Sequence, residues 1–130
     1  MERTIALIDD SLTIRTILRK AVMMSDVGAK SIVEADNGLD GLELIKKLRD
    51  QLQLVIMDLK MPKMDGLQVL TELRNAGINS VPIVVLSSTA DNQVQATCKS
   101  LGARAFLKKP FSHEDFKAVL DSIFAGLQTA

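Results

Sequence analysis

Disulfide bonds cannot hold this chain together, because a lone cysteine, Cys98, closes no internal loop. That scarcity fits a reducing compartment. Charge of one sign is also missing. Lys+Arg and Asp+Glu stand at 16 each, so no overall field draws the chain to nucleic acid or an anionic membrane. No apolar run approaches the ~20 residues that a bilayer-spanning helix needs. At the amino terminus, Thr4-Ile5-Ala6-Leu7-Ile8 runs straight into two aspartates, unlike a secretory leader. Tryptophan is absent, and repeats, linker-like stretches and low-complexity segments are absent too. These absences lead to the expectation of a cytoplasmic protein with no membrane insertion and no direct contact with nucleic acid. What remains is 130 residues of ordinary globular composition, 47% apolar and 25% charged. That is one domain's length, and enough to bury a core.

Short unbroken apolar runs recur along the chain. They are Ile5-Ala6-Leu7-Ile8, the weaker Ser31-Ile32-Val33, Leu54-Val55-Ile56-Met57, Ile83-Val84-Val85-Leu86 and Ala105-Phe106-Leu107. Continuous runs, rather than alternating ones, mark strands buried on both faces, as in a parallel sheet. Helical spacing fills the gaps. Ile14, Ile17, Leu18, Ala21 and Val22 share one face, Leu67, Leu70 and Leu73 another, and Phe116, Val119, Leu120, Ile123, Phe124 and Leu127 form a stripe. Turn chemistry agrees at Asp36-Asn37-Gly38, Ala76-Gly77 and Leu101-Gly102. Ser112 with Asp115 offers a shortened capping box. The reading is a (βα)₅ doubly wound α/β domain with a five-stranded parallel sheet, spanning residues 1–130 as one unit. In such sheets ligands bind outside the carboxyl ends of the strands, at a topological switch point.

The polar residues that close the runs carry the chemistry. Asp9-Asp10 close the first run and Asp58 the third, Ser87 ends the fourth, and Lys109-Pro110 follow the fifth. Three carboxylates drawn together repel and raise one another's pKa unless a cation compensates. Hard oxygen donors of this kind suit Mg²⁺, which keeps waters and phosphate oxygens as its remaining ligands. An aspartate can attack phosphorus to give an acyl phosphate. A lysine and a hydroxyl nearby suit the transferred group, because phosphoryl transfer is mostly positioning and charge neutralisation.

The set, in this order and spacing, resembles the receiver domain of bacterial two-component response regulators of the stand-alone, chemotaxis type. The resemblance covers essentially the whole chain. Its most specific stretch is Asp58 followed by Leu59-Lys60-Met61-Pro62-Lys63-Met64-Asp65-Gly66, supported by Lys109-Pro110-Phe111 and by the gapless spacing from Ser87 through Gly102 and Phe106 to Lys109. The resemblance implies the flavodoxin-like strand order 2-1-3-4-5. It implies Asp58 as the phosphoacceptor for a sensor histidine kinase, with Lys109 and Ser87 assisting. Asp10 and Asp58 would hold Mg²⁺ directly, Asp9 largely through water, and the backbone carbonyl of Lys60 would add an oxygen. It further implies a cis Lys109-Pro110 bond and a switch in which Ser87 moves and Phe106 turns inward. That switch would change the surface of the fourth helix, fifth strand and fifth helix for a downstream target. Handing phosphate on to another histidine protein is the alternative output. The expected assembly is a monomer or a phosphorylation-dependent dimer, with no output domain and no turnover of metabolites.

Plainer readings stand beside these. Asp9 or Asp10 alone would simply favour a helix amino terminus. Ser88 or Thr89 could be the functional hydroxyl in place of Ser87, which is preferred on spacing. Lys108, His113 and Cys98 read as surface or inert packing, and Arg15, Arg19 and Lys20 as one solvated helix face. Lys60 and Thr89 stand two residues beyond the phosphoacceptor and the switch serine, at positions that tune phosphate lifetime in receivers. A haloacid-dehalogenase-type phosphohydrolase would want Asp-x-Asp where this chain has Asp9-Asp10-Ser11. A flavodoxin would want a Ser/Thr/Gly-rich phosphate loop there. A degenerate receiver would lack a member of the set.

Overall fold

The computed structural model describes residues 3–25, 28–89 and 91–128. Strands and helices alternate: β1 Arg3–Ile8, α1 Leu12–Met24, β2 Ala29–Ala35, α2 Gly38–Leu48, β3 Leu52–Asp58, α3 Gly66–Asn75, β4 Ile83–Ser87, α4 Asn92–Ser100, β5 Ala105–Lys108 and α5 His113–Gln128. A single 3₁₀ turn, Arg49–Gln51, separates α2 from β3. The strands pair in parallel in the order β2-β1-β3-β4-β5. This is the flavodoxin-like (βα)₅ arrangement expected from the runs and the resemblance. The order reverses between β1 and β3, so the crevice at their carboxyl ends is the switch point.

Side chains alternate across a strand, and the core divides accordingly. Ala6, Ile8, Val55, Met57 and Val85 pack with Leu42, Ile45, Val69, Leu70, Leu73 and Cys98 of α2, α3 and α4. Ile5, Leu7, Leu54, Ile56, Val84 and Leu86 pack with Leu18 and Val22 of α1 and with Phe116, Leu120, Ile123 and Phe124 of α5. The Leu127 side chain lies outside what is described. Burying each large apolar side chain contributes about 1.5–3 kcal/mol, so the two layers hold the sheet from both sides. The central strands β1, β3 and β4 are covered on both faces, which is why their runs are unbroken. At the edge, β2 mixes partly buried and exposed residues, with none fully buried. Its apolar signal is therefore weak, and the strand extends from Ala29 to Ala35 rather than only over Ser31–Val33.

One expected stripe is narrower than it reads. Leu18 and Val22 are buried, whereas Ile17 is 47% exposed. Successive helical residues point about 100° apart, so Ile17 cannot face the sheet while its neighbour Leu18 does. The caps follow the local chemistry. Ser112 Oγ accepts from the Asp115 N–H at 3.0 Å, and Asp115 Oδ2 accepts from the Ser112 N–H at 3.3 Å. This is a capping box built with aspartate. Gly77 and Gly102 follow α3 and α4 with φ of +73° and +106°, conformations that glycine adopts without strain.

Candidate functional site

The carboxyl end of β1 delivers the first carboxylate. The Asp9 N–H donates to Ala35 O at 3.1 Å, which extends the pairing with β2 by one residue. Asp9 Oδ1 accepts from the Ser11 N–H at 2.9 Å. Ser11 Oγ in turn accepts from the Ile14 N–H at 3.2 Å and caps α1. The turn therefore buries Asp9 completely while Asp10 stands exposed at its tip.

On the adjacent strand, Asp58 ends β3 opposite Leu86 of β4 and is only 8% exposed. Its Oδ1 accepts from the Leu59 N–H at 3.0 Å. The chain then folds back, and the Gly66 N–H donates to Leu59 O at 2.7 Å. A Cβ on Gly66 would sit 2.8 Å from Asp58 O, so a side chain there would displace the backbone that carries Asp58. Asp65 and Gln68 form a capping box at the start of α3. A second close approach braces the same loop. A Cβ on Gly38, at the start of α2, would lie 1.8 Å from Met64 O.

The cation arrives from β5. The Lys109 N–H donates to Ser87 O at 2.7 Å, and the Lys109–Pro110 peptide is cis. Lys109 Nζ reaches Asp9 Oδ2 at 3.0 Å and Asp58 Oδ1 at 3.3 Å. Lys108, one residue earlier, points to solvent. Ser87 is buried, Thr89 is half-buried and Ser88 is exposed, so Ser87 is the hydroxyl held inside the fold. Ser87 Oγ accepts from the Thr89 N–H at 3.1 Å. Phe106, paired with Val85, is half-buried against the layer of α2, α3 and α4. Lys60 is exposed in the loop beyond Asp58.

Asp9, Asp10 and Asp58 each present an oxygen within 4.8 Å of the others. Burial raises the Asp58 carboxyl above its ordinary range, the charge of Asp9 raises it further, and Lys109 opposes both. Burial alone would lower Lys109. Its hydrogen bond to Asp9 and the charges of Asp58 and Asp9 outweigh that, and hold the ammonium above its ordinary value. Three carboxylates against one ammonium leave a surplus of negative charge in a partly dry crevice. The donor set is all hard oxygen, so a small divalent cation such as Mg²⁺ fits both the ligand type and the missing charge.

One sequence reading fails here. Arg15 and Arg19 are not a freely solvated face, because both pair with Glu34 of β2. Arg15 also donates to the Asp9 carbonyl. Nothing local in the sequence marks that contact, which joins residues brought together by sheet order. The Gly38 brace was equally hidden, since Asn37-Gly38 reads only as a turn.

The chain matches the response regulator receiver domain across residues 5–121. It belongs to that family. This receiver is a phosphoacceptor signalling domain, and receivers bind Mg²⁺ at an acidic pocket of the kind Asp9, Asp10 and Asp58 form. It is 31% identical over 125 residues to a probable chemotaxis protein CheY of Rhizobium etli, covering 95% of this chain and 94% of that one. It is 35% identical over 126 residues to a probable transcriptional regulator, ycf27, of Porphyridium aerugineum, covering 97% of this chain but 50% of the relative. Its fold is also that of a solved CheX-CheY-BeF3-Mg complex from Borrelia burgdorferi, with a TM-score of 0.86 and 23% identity over 94% of this chain and 89% of that one. Among the described residues, no helix is long and apolar enough to cross a membrane.

Proposed function

We propose that this receiver, acting as a single domain across residues 1–130, is a Mg²⁺-dependent switch. Asp58 takes a phosphoryl group from a phosphohistidine of a sensor kinase, and the resulting change of surface controls a partner protein in the cytoplasm. The observation that carries this reading is the charge of the crevice, where Asp9, Asp10 and Asp58 converge and, among the described residues, Lys109 pairs with Asp9 and Asp58. Asp10, Asp58 and the Lys60 carbonyl would hold Mg²⁺, with Asp9 assisting through water, and the ion would supply positive charge for the phosphoryl oxygens.

Asp58 forms the new oxygen–phosphorus bond as the donor's nitrogen–phosphorus bond breaks, and the freed imidazole nitrogen takes a proton. Lys109 already lies 3.3 Å from Asp58 Oδ1 and neutralises a second phosphoryl oxygen. Ser87 currently accepts a hydrogen bond through Oγ, which leaves its hydroxyl proton free to donate to a third. Each charge-assisted bond of this kind is worth about 1.5–3 kcal/mol. That is enough to draw in the Ser87 loop and let Phe106 turn inward, which changes the face formed by α4, β5 and α5. Control of a bound target is favoured over phosphate relay because the chain matches a chemotaxis CheY along 94% of that relative's length. In the Borrelia structure, CheY is complexed with CheX, BeF3 and Mg. Lys60 and Thr89 set the lifetime of the acyl phosphate.

Intact mass after incubation with acetyl phosphate and Mg²⁺ tests the reading. The expected result is one added phosphoryl group, lost with Asp58→Asn and with chelator. An adduct that persists at full level in Asp58→Asn would overturn the assignment. So would the absence of any adduct together with failure of beryllofluoride to bind.

A further inference from the structure

Arg15 of α1 reaches back into the acidic turn from behind. Its side chain is 13% exposed. Nη1 donates to the backbone carbonyl of Asp9 at 2.5 Å, and Nε donates to Glu34 Oε1 at 2.9 Å. The other carboxylate oxygen of Glu34 accepts from Arg19. Asp9 is thus gripped through both backbone groups, its N–H by Ala35 of β2 and its carbonyl by Arg15.

The carbonyl that Arg15 holds belongs to the peptide joining Asp9 to Asp10. A peptide unit is planar, so fixing this oxygen also fixes the Asp10 N–H and Cα, and only rotation about the Asp10 N–Cα bond is left to set where its side chain departs. Asp10 itself is exposed, in a bend that belongs to neither β1 nor α1. The guanidinium can perform this task because its fork bonds two acceptors at once, one on β1's end and one on β2. A lysine at the same place could reach the carbonyl or Glu34 but not bridge both with fixed geometry.

We infer that Arg15 is a positioning residue for the cation: by holding the Asp9–Asp10 peptide, with Glu34 as its anchor, it aims the Asp10 carboxylate at the crevice. The inference rests on the Mg²⁺ reading above. It also makes a prediction of sign. As a mere positive charge near the acidic trio, Arg15 would repel a divalent cation, and removing it would tighten binding. As a positioning group, its removal weakens binding.

Calorimetric titration of Mg²⁺ into the whole chain, at fixed ionic strength, separates these. Arg15→Ala is expected to weaken Mg²⁺ affinity about 10-fold, the range seen when a group that orients a metal ligand is lost. Arg15→Lys recovers part of the loss. Arg19→Ala touches only the outer oxygen of Glu34 and stays within about 2-fold of the parent while also losing thermal stability. Should Arg15→Ala fail to fold, Glu34→Gln, which loosens the anchor but keeps the arginine, is expected to weaken affinity about 3-fold. Unchanged affinity in Arg15→Ala, or in Glu34→Gln where that stands in, would overturn the inference and reduce Arg15 to a fold contact. Tighter affinity would overturn it in favour of simple repulsion. A parent protein with no saturable Mg²⁺ binding would overturn the Mg²⁺ reading itself and this inference with it.

Discussion

Two charge clusters, one at Glu34 on the edge strand β2 and one at Asp58 on β3, lie on either side of β1 and differ in sign. Around Glu34, one carboxylate lies between two guanidinium groups, Arg15 and Arg19, and its pKa falls, chiefly through the hydrogen bond to Arg19. Around Asp58, two of three clustered carboxylates, Asp9 and Asp58, share one ammonium, and the Asp58 pKa rises, first through burial and then through Asp9. The first cluster is complete. It holds α1 against β2 and asks for nothing further. The second is short of positive charge in a crevice that limits solvation, which is the condition for taking up a cation. Strain of this sort at a site, beside satisfied charges elsewhere, distinguishes a functional cluster from a structural one.

The largest test of that contrast removes the Lys109 ammonium from the crevice. Lys109→Ala leaves Asp9 buried and unpaired and is expected to destabilise the metal-free protein by about 2–3 kcal/mol. Denaturation followed by circular dichroism measures this, because the chain has no Trp or Tyr. Mg²⁺ should restore part of the loss, and phosphorylation by acetyl phosphate should slow about 100-fold. A neutral effect on stability would mean that the crevice is not short of charge.

Asp58→Asn should move stability the other way, by about 1 kcal/mol or roughly 3 °C in Tm without metal. The folded-state pKa of Asp58 lies above the ordinary 3.8. The penalty of its charge is therefore present at neutral pH, fades as pH falls through the raised value, and is gone below 3.8. The gain from Asp58→Asn should vanish over that window in a pH series of melts.

Glu34→Gln is the smallest effect and has the opposite sign, a loss of about 0.5 kcal/mol at neutral pH for a partly exposed pair. Its folded pKa lies below the ordinary 4.5, so the stability it confers is present above 4.5 and is lost as pH falls through the lowered value. Equal signs for Asp58→Asn and Glu34→Gln would break the comparison.

Much of this was legible in the linear chain. The runs at Ile5–Ile8, Leu54–Met57 and Ile83–Leu86 lie within central strands, and the polar residue after each stands at the crevice. Asp58 and Lys109 are 51 positions apart but could be placed together, because both end strands of one parallel sheet. Arg15 was not legible in this way. It reads as one more charge on a helix, and its partner Glu34 is 19 residues away on an edge strand whose own signal is weak. Ile17 failed for a related reason, since apolar spacing does not say which of two adjacent residues the sheet will cover.

By itself the sequence determined the number and order of elements and which residues close the strands. Those depend on apolar continuity and turn chemistry, properties of neighbours along the chain. Only the tertiary structure decided how the charges share their partners. Glu34 gained two cations, while Asp58 gained Asp9 and a shared Lys109. Coulomb energy and desolvation depend on distance and burial in space, and strand order sets both.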